Sequence, residues 1–360
     1  MSPEIEVPNS KSQIPDSKTK HFNRLKVVGI VLTILGVGLF SYLIYSVGIQ
    51  EILAGIGKIG FGGFALIVFI YFLRILTRAI SWKLTVYEPY KLDLRDTIPA
   101  VIIGEAMSTM IPIGILISGT TKAVSVRHRV PLVVGLSSVA TENLFYSLVT
   151  GLYIVLGAFA FLRSFELAES WVWSIDIFIG VIISLLFLGI LMLVRQWHFA
   201  SAICERLYDK GIGRSFLENG RLHVRLFENL IYGYYRRYPH RFLPIILLQI
   251  AFHTLGILEV WFILSRISAG FQSFYTAFLL ESVSRFILIV FKFVPFVLGI
   301  DEAGAQFVTE ILALGAGLGV MLAVIRKGRA LFWTTIGVIL VIKRGLSLKE
   351  IRNMKVKTEN

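Results

Sequence analysis

Apolar runs of about 20 residues recur along this chain, and that is the length a helix needs to cross a bilayer. They lie near 27–47, 61–80, 131–162, 172–194, 242–267, 274–292, 303–325 and 327–342, with an interrupted further stretch at 97–120. Only short polar segments separate them, which leaves no contiguous segment for a separate soluble domain. Hydrophobic residues make up 56% of the 360 positions and charged ones 16%, with a mean hydropathy of +0.75, so bilayer rather than water is the expected solvent. The fold class that follows is an all-α polytopic integral membrane protein, with about eight transmembrane helices and one or two re-entrant or broken segments.

Charge then sets the expected orientation. Residues 1–26 hold three prolines together with Lys11, Lys18, Lys20, Arg24 and Lys26, and read as a disordered basic arm on the cytoplasmic side. The run Val27 to Val47 is longer than a signal-peptide core and has no clear small-residue cleavage site, so it reads as a retained anchor. The net charge of +13 is explained by topology and anionic headgroups, without invoking nucleic acid. Lys83, Lys91 and Arg95 before the 97–120 stretch, and Lys122, Arg127 and Arg129 after it, place both its ends on the same side. A full crossing there would put the nine Lys and Arg of 195–241 outside, against the positive-inside pattern. A re-entrant hairpin resolves the conflict, and Pro112, Gly114 and Gly119 supply a break; a Pro-kinked ordinary span is the other reading.

The 27–345 membrane domain includes 195–241, where Ile203, Leu207, Ile212, Phe216, Leu222, Leu226 and Leu230 alternate with arginines as amphipathic helices do. The 346–360 tail is basic, and both termini are expected to be cytoplasmic. A second proline break, Val294-Pro295-Phe296-Val297-Leu298-Gly299-Ile300-Asp301-Glu302, lies in the C-terminal half. Matching interruptions in two halves of a chain point to a midplane site, where half-helix N-termini favour an anion.

Ionisable groups inside spans cost a few kcal/mol each, so each needs a partner or a wet cavity. Glu142, flanked by Thr141 and Asn143, stands in the middle of 131–162, and Glu105 lies in the first arm of the hairpin, in reach of Arg74 or Arg78. Arg74 is deep, whereas Arg78 is near enough to the surface to be expected to snorkel. Glu281 and Arg285 are spaced (i, i+4), in the favourable order for a pair that is either structural or a gate. His253 and Glu259 do not share a face, which argues against a metal site, and both read as structural. Arg326, Lys327 and Arg329 either cap a turn between two spans or lie within one longer helix. Cys204 is the one cysteine, so no intrachain disulfide is possible. No zinc-protease, phosphate-loop or nucleophile-elbow motif is present, so neither catalysis nor a cofactor is expected.

Arg74 and Trp82, then Ile111-Pro112 with Gly119 and Lys122, then Glu142, then Pro295-x-x-x-Gly299-x-x-Glu302, then Arg326, carry a resemblance in their order and spacing. Over about 25–345 the chain resembles the flippase-like domain family, the transmembrane domain also found at the N-terminus of lysylphosphatidylglycerol synthases. The chain departs from the family pattern at Thr120, which stands where an acid usually follows the glycine, and at Asn143 and Tyr146. With the sequence closing at Asn360, no appended synthase domain is expected. The resemblance implies movement of an anionic or lipid-linked lipid, aminoacylated or not, across a prokaryotic cytoplasmic membrane. The residues expected to line the path are Arg74, Glu105, Pro112, Gly119, Lys122, Glu142, Glu281, Arg285, Pro295, Gly299, Glu302 and Arg326, with membrane lipids as partners. A membrane enzyme acting on a lipid-linked phosphate, or a non-transporting accessory subunit, are the alternative readings.

Overall fold

The computed structural model describes residues 37–110, 114–165, 169–210, 214–268, 270, 273–291 and 294–343. The expected arm and tail, and the Ile111-Pro112 pair, lie outside them. The described residues form helices α1 (Val37–Val47), α2 (Ile49–Thr85), α3 (Leu94–Met110), α4 (Gly114–Ser125), α5 (Leu132–Ser164), α6 (Glu169–Arg195), α7 (Phe199–Asp209), α8 (Arg214–Arg237), α9 (Phe242–Ile267), α10 (Phe274–Val290), α11 (Ile300–Ile311) and α12 (Ala316–Lys343). There is no strand among these residues. Four helices, α2, α5, α6 and the one ending at Ile267, are long and apolar enough to cross a membrane. At 28 residues α12 is also long enough, but it holds Arg326, Lys327 and Arg329 within its length.

Two pairs of helices are too short to cross. α3 and α10 have 17 residues and α4 and α11 have 12, so the shorter arms reach only about 18 Å against a hydrocarbon core of about 30 Å. In each pair the arms lie side by side. A Cβ on Gly104 of α3 would press on Lys122 Cγ of α4 at 2.7 Å, and one on Gly304 of α11 would strike Ile287 of α10. The 97–120 stretch is thus a helical hairpin, as the charge parity suggests.

The C-terminal half departs from the hydropathy reading. The runs 274–292 and 303–325 are not two spans, because α10 and α11 fold back on each other at a turn through Pro295–Val297. The next break falls at 312–315, where Ala313 and Gly315 take positive φ values of 53° and 103°. Leu312, Ala313 and Leu314 are apolar and conceal this turn from any hydropathy scan. Arg326, Lys327 and Arg329 lie inside one helix, the second of the two readings given for them.

α2 and α9 run antiparallel through the centre: Gly63 faces Phe262, Arg74 faces Gly256, and Gln249 Nε2 donates to Ser81 Oγ at 2.9 Å. Around this axis the packing repeats. α3 packs on α12 and α10 on α5; α4 packs on α5 and α11 on α12; α2 touches α12 as α9 touches α5. Each element of the first set reappears about 180 positions later, so α2–α5 and α9–α12 form two span–hairpin–span units of opposite direction. The hairpins therefore enter from opposite sides, and the turn of the second touches α3 of the first.

The rest is peripheral. α6 packs on α5 through Leu186 at Gly151, yet none of its apolar window 172–192 is buried. α7 and α8 pair as an amphipathic hairpin within 195–241, through Arg225 Nη1 to Glu205 Oε1 at 3.0 Å and through Ser201 to Glu228. Tyr234 of α8 and Tyr238 just beyond its end, buried against Phe145 and Ile245, anchor that hairpin to the spans.

Candidate functional site

The charged residues of the spans converge where the hairpins meet. α2 supplies Arg74 and Arg78, one turn apart on the same face. α9 supplies Glu259, α10 supplies Glu281 and Arg285, and α12 supplies Arg326, Lys327 and Arg329. Glu281, wholly buried, is the hub: Arg285 one turn along binds its Oε1, Arg74 Nη2 lies 3.6 Å from the same oxygen, and Arg326 Nη2 lies 3.2 Å from Oε2. Glu259 joins the units from the other side, held by Arg74 Nη1 at 3.3 Å and by Arg329.

Glu142 forms a second hub on α5. Arg78 donates to it through Nε at 3.0 Å and Nη2 at 2.9 Å, and Nη2 also reaches Asn143 Oδ1 at 3.1 Å. Lys122 Nζ approaches from α4 at 3.8 Å and Gln249 Nε2 from α9 at 3.4 Å. Arg78 does not snorkel. Its side chain is 12% exposed and turned inward to the Glu142 carboxylate. Lysine offers no planar fork, so Arg78→Lys is expected to cost about 1–2 kcal/mol, measured as a lower midpoint of thermal unfolding in detergent.

The remaining expected residues sort as follows. Glu105 pairs with neither Arg74 nor Arg78 by hydrogen bond; it accepts one from Tyr71 Oη at 3.0 Å. Gly119 lies on α4 facing Val139 of α5, where an added Cβ would sit 3.5 Å from Val139 Cγ1; Pro295 opens the hairpin turn, and Gly299, at φ 78°, precedes α11. Glu302 faces Lys327 at 2.6 Å. His253 is stacked on Tyr153 at 4.6 Å and bonded to Thr150 Oγ1 at 3.0 Å, in keeping with its structural reading. Glu259 has that role only in part, since it ties two units together. Arg329 and Lys327 also belong to the network. The reasoning that singles out Glu142, an ionisable group within an apolar run, applies equally to Glu259, while Lys327 and Arg329 resemble a loop until their partners are in place.

These groups surround a cavity of about 230 Å³ at the hairpin turns. Arg74, Arg78, Arg285, Arg326, Lys327 and Arg329 line it, with Glu105 as the carboxylate. Ser108, Thr109, Ser118, Tyr71 and Tyr146 add hydroxyls, and Phe296 and Val297 close it from the second turn. The acids that balance these bases, Glu142, Glu259, Glu281 and Glu302, stand behind them rather than on the wall. Among the described residues no group of three or more His, Cys, Asp or Glu could hold a metal ion.

The chain is a polytopic helical protein whose cation-lined cavity lies between two opposed helical hairpins. The family described as the lysylphosphatidylglycerol synthase TM region matches residues 26–337, and the chain belongs to that family. It is therefore a membrane protein associated with lipid metabolism or transport. No curated protein and no solved structure matches it.

Proposed function

We propose that this protein carries the anionic headgroup of a lipid across the cytoplasmic membrane of a prokaryote, with both chain termini inside. The observation that carries the reading is the polarity of the cavity wall: six bases face the space and their counter-acids are set behind them. A phosphate entering between the hairpins meets guanidinium donors already held in place by Glu281, Glu259 and Glu142, so little reorganisation is needed. Opposed span–hairpin–span units supply the means of exposing one site to each side in turn. The family's link to lysylphosphatidylglycerol synthases favours a glycerophospholipid, aminoacylated or not, as cargo.

The test is translocation of fluorescent phosphatidylglycerol in proteoliposomes, followed by quenching of the outer leaflet. The protein should speed flipping above empty liposomes. Arg326→Gln should slow it by about tenfold, the effect of losing one charge-assisted contact worth about 1.4 kcal/mol. Wild-type rates no faster than lipid alone would refute the reading, and unaltered rates in Arg326→Gln would refute the site. Product formation in detergent, with no second compartment, would identify an enzyme instead.

A further inference from the structure

We propose that Asp301 and Glu302 form a proton-binding site that Lys327 couples to the headgroup cavity. The two carboxylates are adjacent in the first turn of α11, 6% and 0% exposed, just after the hairpin turn. α11 packs on α10 and α12. From α12 the facing base is Lys327, whose Nζ is 2.6 Å from Glu302 Oε1 and 4.0 Å from Asp301 Oδ2. Arg326, also on α12, is within electrostatic reach of Asp301 but is committed to Glu281 at 3.2 Å. From α10 the contact with Gly304 is apolar, through Ile287, and the charged Glu281 and Arg285 bind each other.

Two acids thus confront one available base. Asp301 Oδ1 and both Glu302 carboxylate oxygens are buried without a well-aligned hydrogen bond, so Lys327 meets Glu302 as an ion pair alone. The helix N-terminus favours the ionised form, but that effect is small beside the penalty for an uncompensated charge inside a bilayer. A proton taken from water onto one carboxylate oxygen closes the account: one carboxylate, one carboxylic acid and one ammonium sum to zero.

Lys327 also lines the cavity, so a phosphate there competes with Glu302 for the same ammonium. When the phosphate draws Lys327 away, the remaining carboxylate loses its counter-charge and takes up a second proton. Release of the anion returns Lys327 and expels that proton. Linkage requires the reverse as well: protonating the pair frees Lys327 for the anion and tightens binding. The proton site stands on geometry alone, while its coupling role rests on the lipid-translocation reading.

The first measurement needs no lipid. Infrared difference spectra of the full-length protein in nanodiscs, taken between neutral and alkaline pH, should show a buried protonated carboxyl. The signal should vanish in Glu302→Gln and in Asp301→Asn, each of which removes the surplus acid yet leaves Lys327 a partner. Absence of the signal from the wild type, its persistence in both variants, or its replacement by a response to sodium at fixed pH overturns the site. The second measurement is calorimetry with dioctanoyl phosphatidylglycerol in buffers of different ionisation enthalpy. It should give about one proton taken up per lipid bound, and none in Lys327→Gln. Binding without proton uptake overturns the coupling. No binding at all, with the infrared signal present, overturns the translocation reading and leaves the proton site standing.

Discussion

Glu281→Ala is expected to destabilise the folded protein by about 3–5 kcal/mol, the largest stability loss of any single substitution in the ion network. The reason lies in what remains. Arg74, Arg285 and Arg326 all point at this one carboxylate, and removing it leaves three guanidinium groups facing one another, with Glu259 alone to offset Arg74. Truncating one member of a buried ion cluster costs far more than replacing the cluster, because the surviving charges keep their desolvation penalty and lose their compensation. A second substitution should therefore recover stability: Glu281→Ala with Arg285→Met removes one acid and its (i, i+4) base together. Thermal unfolding in detergent, followed by tryptophan fluorescence, checks both. A single variant that melts with the wild type, or a double variant no better than the single, would show that the cluster is not the keystone described.

Gly256→Ala is the second substitution expected to act strongly, through space rather than charge. The added Cβ would lie 2.7 Å from Glu281 Oε1 and 3.3 Å from Arg74 Cζ. A flexible carboxylate elsewhere would swing aside. Here it is held by three arginines, so the clash must be relieved by moving α9 away from α10 and α2 or by breaking an ion pair. Overpacking of this kind costs about 1–3 kcal/mol, and the same displacement disturbs the cavity wall, so lipid flipping should fall with stability. Gly189 on α6 has nothing within 4 Å of its own hypothetical Cβ. Gly189→Ala is the matched control and should change neither the unfolding midpoint nor the flipping rate. Equal behaviour of the two alanine variants would contradict the packing at the crossing.

Hydropathy located α5, α6 and α9 to within a few residues, because each is a long apolar helix bounded by polar residues. The first hairpin was legible for a different reason: basic residues on both sides of 97–120 cannot be reconciled with a full crossing. The second was not. Its return arm, α11, and the start of α12 are separated by an apolar turn, and the charges of α12 sit in mid-helix, so local composition reverses the true order of helix and break. Among site residues, Glu142, Glu281, Arg285 and Arg74 were visible because a charge in an apolar run needs compensation wherever its partner lies. Which partner it takes is a long-range matter. Arg78 finds Glu142 64 residues away and Arg329 finds Glu259 70 residues away, and no local window holds both members.

The antiparallel crossing of α2 and α9 has a mechanical consequence. It falls near the middle of both helices, at Arg74 and Gly256, which makes it a fulcrum between the two units. In a rocking motion about such a point, displacement grows with distance along the lever. The contact between Gly63 and Phe262, about 16 Å from Arg74 along α2, would have to slide, as would the Ser81–Gln249 pair on the far side. The guanidinium of Arg74 would scarcely move. The charges most costly to separate thus lie where such a motion would be smallest, and the larger displacements would fall on apolar and neutral polar contacts, which can reform in a new register at little expense.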